Sequence, residues 1–264
     1  KDDLGYSPAR MSTAKSVLSS FSDALEILYE DEYPNFRNLT KGLKPVNVTP
    51  TREKTVVSEE DAENILQVLV DSRQYQLACY FALLISSGCR KSELTQMKVS
   101  FFDQKHEIFN GYFWLTDIIN SKGRAGGKKI QRYVIKNTFE QYLNLWLKQR
   151  EELGITSDYL FVARRGQSSE WHPATVSNFN LFAERISEQF KFNFYNHCLR
   201  HYFCTRLKKM NLPDEIVAEI IHWQGTEMVR RYDDTPQSDR LAQYFDENGF
   251  KPQKDGTLDD LTKK

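Results

Sequence analysis

The sequence has no excess of charge of either sign, and it has no long apolar run. Its 36 lysines and arginines balance 36 aspartates and glutamates over 264 residues. Many nucleic-acid-binding domains are markedly basic, so this balance does not favour that class, although a phosphate backbone responds to local clusters of cations. No stretch approaches the roughly 20 apolar residues that cross a bilayer, and no secretory leader is visible, so we expect no membrane partner.

Closely spaced cysteines are also missing. The four cysteines, Cys79, Cys89, Cys198 and Cys204, form no C-x-x-C pair, which favours a reduced cytosolic setting over a disulfide framework. No internal repeat or low-complexity segment occurs. With 40% hydrophobic and 27% charged residues, the composition is that of a globular protein, and the length allows a sizeable core and two domains.

The first part of the chain predicts one helix and a linker. Apolar residues recur at helical spacing from Ser12 to Leu28, and Pro45 and Pro50 mark an extended segment. A single helix with this stripe cannot bury its own apolar face, so it either packs on a partner, such as the main body of the chain, or belongs to a larger domain. We predict a partial helical domain with its linker at 1–50, a main domain at 51–235 and a tail at 236–264.

The main domain mixes helical and strand patterns. Leu77 to Ile85 is apolar on nearly every side and predicts a central helix, which Gly88 ends because glycine adopts the left-handed conformation. From Ile108 to Ile135 the period changes to the alternation of strand formers. Further amphipathic helices are predicted at 137–153 and 173–190. The predicted fold class is mainly α with a small antiparallel β-sheet (α+β).

A glycine-rich basic turn, Asn120 to Lys129, separates the two strand-forming runs. A hairpin tip with several cations can contact phosphates or the minor groove of DNA. The alternative is a solvated turn, which is how most turns rich in lysine and glycine behave. The candidate cations are Lys122, Arg124, Lys128 and Lys129.

The stretch from Asn196 to Tyr232 combines groups that suit an anion. His197 and Arg200 are three residues apart and therefore share a face of a helix, where an imidazole and a guanidinium can bind phosphate oxygens. Tyr232, beside Arg230 and Arg231, offers a hydroxyl next to positive charge, as nucleophilic attack on a phosphodiester requires. His197 and His201 could instead bind a metal, but no third ligand is evident.

Arg90 is a second candidate for binding an anion. It lies at the junction between the central helix and the next one. A buried arginine needs a partner, so either Glu93 or a bound phosphate must pair with it. Alone, the motif favours a structural Arg90–Glu93 pair. Together with the C-terminal stretch it favours an anion site.

Both stretches resemble motifs of the tyrosine recombinases, the phage integrase family. His197-x-x-Arg200-His201, followed by Trp223 and by Tyr232 nine residues later, resembles the C-terminal signature. Ser87 to Leu94, which reads Ser-Gly-Cys-Arg-Lys-Ser-Glu-Leu, resembles the motif of the first catalytic arginine.

The resemblance covers roughly residues 55 to 235 and implies the tyrosine-recombinase catalytic fold. Tyr6 to Lys44 resembles the final helices of the family's core-binding domain. The implied activity is that of a site-specific DNA recombinase or integrase, which cleaves and rejoins strands through a 3′-phosphotyrosyl intermediate. Neither a metal nor another cofactor is implied.

The resemblance also assigns residue roles. The implied catalytic set is Arg90, Lys122, His197, Arg200, Trp223 and the nucleophile Tyr232. Lys128 and Lys129 are alternatives to Lys122, because the turn is longer than usual. Most members carry Gly-His where this sequence has His222-Trp223, so His222 is an alternative to Trp223.

The expected partner is double-stranded DNA, bound by a homo-tetramer on paired sites. The expected location is the cytoplasm, at the nucleoid of a prokaryote or in a virus-infected cell. The tail at 236–264 is expected to dock on a neighbouring subunit, and the alternative is a helix folded on its own body or a frayed end. The predicted DNA-contacting residues, whose alternative is a solvated surface, are Arg124, Lys128, Lys129, Arg206, Lys208, Lys209, Arg230 and Arg231. Alternative functions are a type IB topoisomerase and a catalytically inactive DNA-binding accessory protein. A phage, a transposon and a chromosomal role all remain open.

Overall fold

A computed structural model of the chain describes residues 5–44, 55–122, 127–164, 166, 170–242, 245–246 and 249–250. The chain forms two compact units, Lys1–Lys54 and Thr55–Lys264. The predicted domain boundary between residues 50 and 51 lies outside the described residues. Within the described part of the chain, no helix is both long enough and apolar enough to cross a membrane.

The first unit contains helix α1, Pro8–Leu28, and a 3-10 turn, Leu39–Gly42. The helix begins four residues before the predicted start, because Pro8 occupies its first turn and the Ser7 side chain accepts a hydrogen bond from the Arg10 amide. Asn38 ties the following segment to the helix by donating to the Ser19 carbonyl at 2.9 Å. Large apolar residues of α1 are exposed: Val17, Leu18, Phe21, Ile27 and Leu28.

The second unit is built from nine helices and nine short strands in the described residues. Its helices are α2 Glu59–Asp71, α3 Tyr75–Ser87, α4 Lys91–Leu94, α5 Lys136–Glu152, α6 Val176–Phe190, α7 Cys198–Lys209, α8 Asp214–Ile221, α9 Glu227–Tyr232 and α10 Gln237–Ala242. Its strands are β1 Glu107–Ile108, β2 Phe113–Leu115, β3 Ile119–Ser121, β4 Lys128–Ile130, β5 Tyr133–Ile135, β6 Val162–Arg164, β7 Trp171–Pro173, β8 Phe245–Asp246 and β9 Gly249–Phe250. Two 3-10 turns, Val99–Phe102 and Gln104–His106, precede β1. The fold class predicted from the sequence, mainly α with small antiparallel sheets, is confirmed.

Helix α3 is the centre of the core. Every residue from Leu77 to Ser87 is buried, and the helix packs against α2, α5 and α7. It ends at Gly88, whose φ of 57° is left-handed, as predicted. The next residues turn sharply into α4, so Arg90 is held where α3 and α4 meet.

The strand-forming residues between Ile108 and Ile135 belong to two separate sheets, whereas the sequence predicted two continuous runs of strand. Strands β1, β2 and β5 form one antiparallel sheet, whereas β3 and β4 form a separate hairpin. The break occurs at Thr116 and Arg132, where the Thr116 hydroxyl accepts the Arg132 amide at 2.8 Å. Arg132 is fully buried and turns its side chain toward α4 and α8, so the β3–β4 hairpin leaves the sheet at this point.

The predicted helix at 173–190 was wrong at its start. Residues Trp171–Pro173 pair with Val162–Arg164 as a two-stranded ladder, and α6 begins only at Val176. Thr175 lies at its N-cap, where the Asn178 Oδ1 accepts hydrogen bonds from the Thr175 amide and from the Thr175 hydroxyl, each at 2.8 Å. The helix predicted at 137–153 is displaced by a single residue.

Candidate active site

Arg200 is held in the first turn of α7 by two backbone carbonyls. Its Nη1 donates to the Gly88 carbonyl at 2.7 Å, and its Nη2 donates to the Ile221 carbonyl at 2.9 Å. The side chain is buried. Burial, aided by the charges of Arg132 and Arg90, lowers its pKa to about 9, so the guanidinium remains a cation at neutral pH. Its buried Nε has no hydrogen-bond partner among the described residues.

Arg90 lies at the start of α4 and contacts both Glu93 and Ser121. Its Nη1 lies 3.1 Å from Glu93 Oε1 and 2.9 Å from Ser121 Oγ. The structural Arg90–Glu93 pair considered from the sequence therefore exists. The Arg90 side chain nevertheless keeps 30% of its surface exposed, so pairing with Glu93 and access to a ligand coexist.

Tyr232, the last residue of α9, lies beside His197. The Tyr232 Oη and the His197 Nε2 are 2.5 Å apart. The His201 ring stacks on the Tyr232 ring with centroids 4.1 Å apart. The centroid of the Trp223 ring lies 4.8 Å from that of the Tyr232 ring. The phenol is thus packed among two imidazoles and an indole, with its hydroxyl at the His197 ring.

His197 precedes α7 rather than lying within it, a small correction to the predicted helix. It occupies the N-cap position with helical φ and ψ, so it still lies one turn from Arg200 on the same face. Desolvation of the ring and the charges of His201 and Arg200 lower the pKa of His197 to about 4. The imidazole is therefore neutral at pH 7 and can accept a proton at the nitrogen that faces Tyr232.

Trp223 and His222 have different surroundings. The Arg200 guanidinium lies 5.3 Å from the centre of the Trp223 ring, so the indole touches both Arg200 and Tyr232. His222 instead hydrogen-bonds the Gln131 carbonyl and stacks on Tyr133. It adopts a left-handed φ of 61°, a conformation that costs about 1–2 kcal/mol in a residue with a Cβ.

Arg200, Trp223, Tyr232 and His197 thus form one chain of contacts. Burial is the main cause of the lowered pKa of both His197 and Arg200, and Arg90 lies close enough for its charge to contribute. The sequence signature of this cluster is that of a known family. Residues 55–238 match the profile of the phage integrase family. The chain belongs to the phage integrase family. As a member, it is a site-specific recombinase, an enzyme that exchanges DNA strands.

Two kinds of relatives agree with the family assignment. The SPbeta prophage-derived recombinase-like protein YomM of Bacillus subtilis (strain 168) is 26% identical over 239 residues, which cover 87% of this chain and 69% of that protein. The Tn1549 transposon integrase, solved with circular intermediate DNA, aligns with a TM-score of 0.64 and 18% identity over 90% of this chain and 79% of that chain. The XerA recombinase aligns with a TM-score of 0.56 and 20% identity over 92% of this chain and 84% of that chain. The solved structures share their fold with this member of the family.

Three of the predicted lysines belong to the β3–β4 hairpin, whose Ser121 contacts Arg90. Lys122 directly follows β3 and is exposed, and Lys128 and Lys129 are exposed in β4. Lys128 is the cross-strand partner of Ser121, and its charge contributes to the lowered pKa of His222, after burial as the main cause. Arg124 lies outside the described residues.

The other predicted DNA-contacting cations differ in how they are paired. Lys208 bonds Asp214 at 2.6 Å, and Lys209 lies 3.3 Å from Glu59. Arg230 has 81% of its side chain exposed and lies 3.8 Å from Asp214. Arg206 is half-buried, and Arg231 is exposed. Arg231 lies close enough to His197 to contribute to its lowered pKa, after desolvation and the nearer cations.

Sequence reasoning missed a buried ion pair beneath the two arginines. The fully buried Arg132 donates to both oxygens of Glu93, at 2.8 Å and 2.9 Å, and also donates to the Ile221 carbonyl at 3.0 Å. Burial alone would raise the pKa of Glu93, but Arg132, Ser121 and the Arg90 amide outweigh it, and the pKa falls to about 2. Glu93 stands among polar residues such as Lys91, Ser92 and Thr95, so the local sequence does not indicate that its carboxylate is buried or that Arg132 is its partner.

Proposed function

We propose that Tyr232 is the nucleophile of a reversible strand-transfer reaction at specific DNA sites. The observation that supports this most directly is the 2.5 Å contact between the Tyr232 hydroxyl and a neutral His197. A nucleophile within hydrogen-bond reach of a base, beside fixed cations, is the arrangement that nucleophilic catalysis needs.

In the proposed cleavage step, the Tyr232 Oη attacks the scissile phosphate. A new bond forms between the phenolic oxygen and phosphorus while the bond from phosphorus to the 5′-oxygen breaks. His197 Nε2 takes the phenolic proton, and Lys122 gives a proton to the departing 5′-oxygen. The products are a 3′-phosphotyrosyl linkage and a free 5′-hydroxyl.

Arg90 and Arg200 neutralise the charge on the nonbridging oxygens. Arg200 is suited to this role because its two carbonyl contacts fix the guanidinium before DNA binds, so little reorganisation accompanies the reaction. The Trp223 indole N–H supplies a further donor. The phosphodiester energy is kept in the tyrosyl linkage, so the 5′-hydroxyl of a second strand can reverse the step and exchange strands.

The proposed DNA surface comprises the β3–β4 hairpin and the exposed end of α9. Lys128 and Lys129, with Arg230 and Arg231, are cations that the structure leaves accessible. Two solved relatives support double-stranded DNA as the ligand: the Tn1549 integrase in complex with circular intermediate DNA and a lambda integrase dimer bound to a core site.

We further propose a homo-tetramer on two paired sites, with the tail beyond residue 236 docking on a neighbouring copy. An apolar groove between β2, β5 and α8 is a candidate acceptor, lined by Phe109, Tyr112, Tyr133, Leu212 and Ile220. The tail itself carries apolar residues, Leu241, Tyr244, Phe245 and Phe250. Sedimentation of the protein with duplexes that carry the paired sites should give a complex with the mass of four copies of the chain and two duplexes.

The prophage and transposon origins of two relatives support a role in a mobile element, and hence a place at the DNA of a prokaryotic cytoplasm.

A plasmid with two target sites tests the function. The target is first selected from randomised duplexes by its binding to the Tyr232→Phe variant. We expect the wild-type protein to recombine the two sites and the variant to be inactive. Relaxation of a plasmid with one site, without recombination of two, would instead indicate a topoisomerase.

A further inference from the structure

Ser121 occupies a place that the proposed mechanism does not use. It is the last residue of β3, is buried, and directly precedes Lys122. Its Oγ donates to Glu93 Oε1 at 2.5 Å and accepts from Arg90 Nη1 at 2.9 Å. One hydroxyl therefore connects the strand that leads to Lys122 with the first arginine.

The acceptor of this hydroxyl is itself fixed. Glu93 is fully buried and is bonded through both oxygens by Arg132, so it stays ionised and has little freedom to move. A hydrogen bond to a charged, immobile acceptor is among the stronger ones in proteins. The end of β3 is thus anchored at two adjacent residues: the Ser121 hydroxyl bonds the rigid Glu93, and the Asn120 backbone bonds the Gln96 side chain through its carbonyl and its amide, each at 2.8 Å.

The anchor places Lys122 near Arg90. Consecutive Cα atoms lie about 3.8 Å apart and a serine Oγ lies roughly 2.4 Å from its own Cα. Adding the 2.9 Å contact to Arg90 puts the Lys122 Cα within about 9 Å of the Arg90 Nη1. A lysine side chain extends about 6 Å, so its ammonium can reach a phosphate that Arg90 binds.

We propose that Ser121 is a positioning residue, whose hydroxyl holds Lys122 within reach of the departing 5′-oxygen. The inference rests on the proposed function, in which Lys122 protonates that oxygen. Without the hydroxyl, the end of β3 loses its link to Glu93 and Arg90, and the lysine is presented less often in the reactive geometry.

A bridging-sulfur substrate separates this role from a structural one. When sulfur replaces the 5′-bridging oxygen, the leaving group is a thiolate, and because a thiol has a pKa near about 8.5 it needs no proton donor to depart. The rate of cleavage is measured on the selected duplex, nicked near the scissile phosphate, with either oxygen or sulfur as the 5′-bridging atom. The variants are Ser121→Ala, Ser121→Thr, Lys122→Ala and, as an exposed control, Ser100→Ala.

Since a general acid contributes about 100-fold or more, we expect Ser121→Ala to cleave the oxygen substrate about 10-fold to 100-fold more slowly. It should cleave the sulfur substrate within about 3-fold of the wild-type rate, like Lys122→Ala, while Ser121→Thr and Ser100→Ala retain both rates. Equal slowing on both substrates, or no slowing, would overturn the proposal. Failure of the wild-type protein to cleave either substrate would overturn the proposed function and the inference with it.

Discussion

Gly88 shows how one backbone position supports the site. Its left-handed φ ends α3, its carbonyl accepts Arg200 Nη1, and a Cβ built on it would lie 2.7 Å from Phe203 Cδ1. Only glycine satisfies the backbone conformation and the close approach of Phe203 together.

Gly88→Ala should therefore destabilise the protein by about 2–5 kcal/mol, from left-handed strain and overpacking combined. Gly154→Ala is the matched control, because Gly154 also has a positive φ but nothing lies within 4 Å of its added Cβ. Urea unfolding should show a loss of only about 1–2 kcal/mol for Gly154→Ala. Equal losses for both variants would mean that Phe203 does not constrain this position.

Glu93 shows how a buried charge organises neighbouring residues. It contacts Arg132, Arg90 and Ser121, so its removal leaves Arg132 buried without its main partner. Glu93→Gln should lower the free energy of unfolding at pH 7 by about 3–5 kcal/mol, while the control Glu184→Gln, exposed in the interior of α6, should change it by no more than about 0.5 kcal/mol.

The pH dependence has a definite sign. The folded pKa of Glu93, about 2, lies below the ordinary value of 4.5, so its stabilising contribution is complete above pH 4.5 and is lost as the pH falls toward 2. The stability difference between the wild-type protein and Glu93→Gln should shrink over that window. A difference independent of pH would contradict the assignment of an ionised Glu93.

At the scale of elements, the β3–β4 hairpin contributes two exposed lysines, Lys128 and Lys129, to the proposed DNA surface. Each phosphate contact by a lysine contributes about 0.9 to the slope of log affinity against log salt. Lys128→Ala and Lys129→Ala should each reduce that slope by about one and weaken binding to all duplexes alike. Lys148→Ala, an exposed lysine on α5, serves as the control, and an unchanged slope in the hairpin variants would remove them from the interface.

The elements also show what the sequence could predict. His197 and Arg200 lie within one turn, so their shared face followed from spacing alone. The pairing of Tyr232 with His197, 35 residues apart, was expected only through the family resemblance. The Glu93–Arg132 pair, 39 residues apart, could not be found, because nothing local indicates which cation meets a buried carboxylate. Strand β7 was missed because three residues that include a proline give no periodic signal.

At the scale of the whole molecule, a chain with no formal net charge still carries cations that differ in their pairing and exposure. Lys208 and Lys209, at the end of α7, are paired with Asp214 and Glu59. Lys128, Lys129 and Arg231 stay exposed. Net charge is therefore a poor guide for this protein, because the local distribution of paired and unpaired cations determines where a phosphate backbone can bind.

The most direct test of the account is to map the covalent bond between protein and DNA. The selected duplex, nicked so that the cleaved end diffuses away, is incubated with the protein, and the adduct is digested and sequenced by mass spectrometry. We predict a nucleotide attached through its 3′-phosphate to Tyr232, a free 5′-hydroxyl on the released strand, and no adduct with Tyr232→Phe. Attachment to another residue, or an adduct that persists in Tyr232→Phe, would contradict the assignment of the nucleophile.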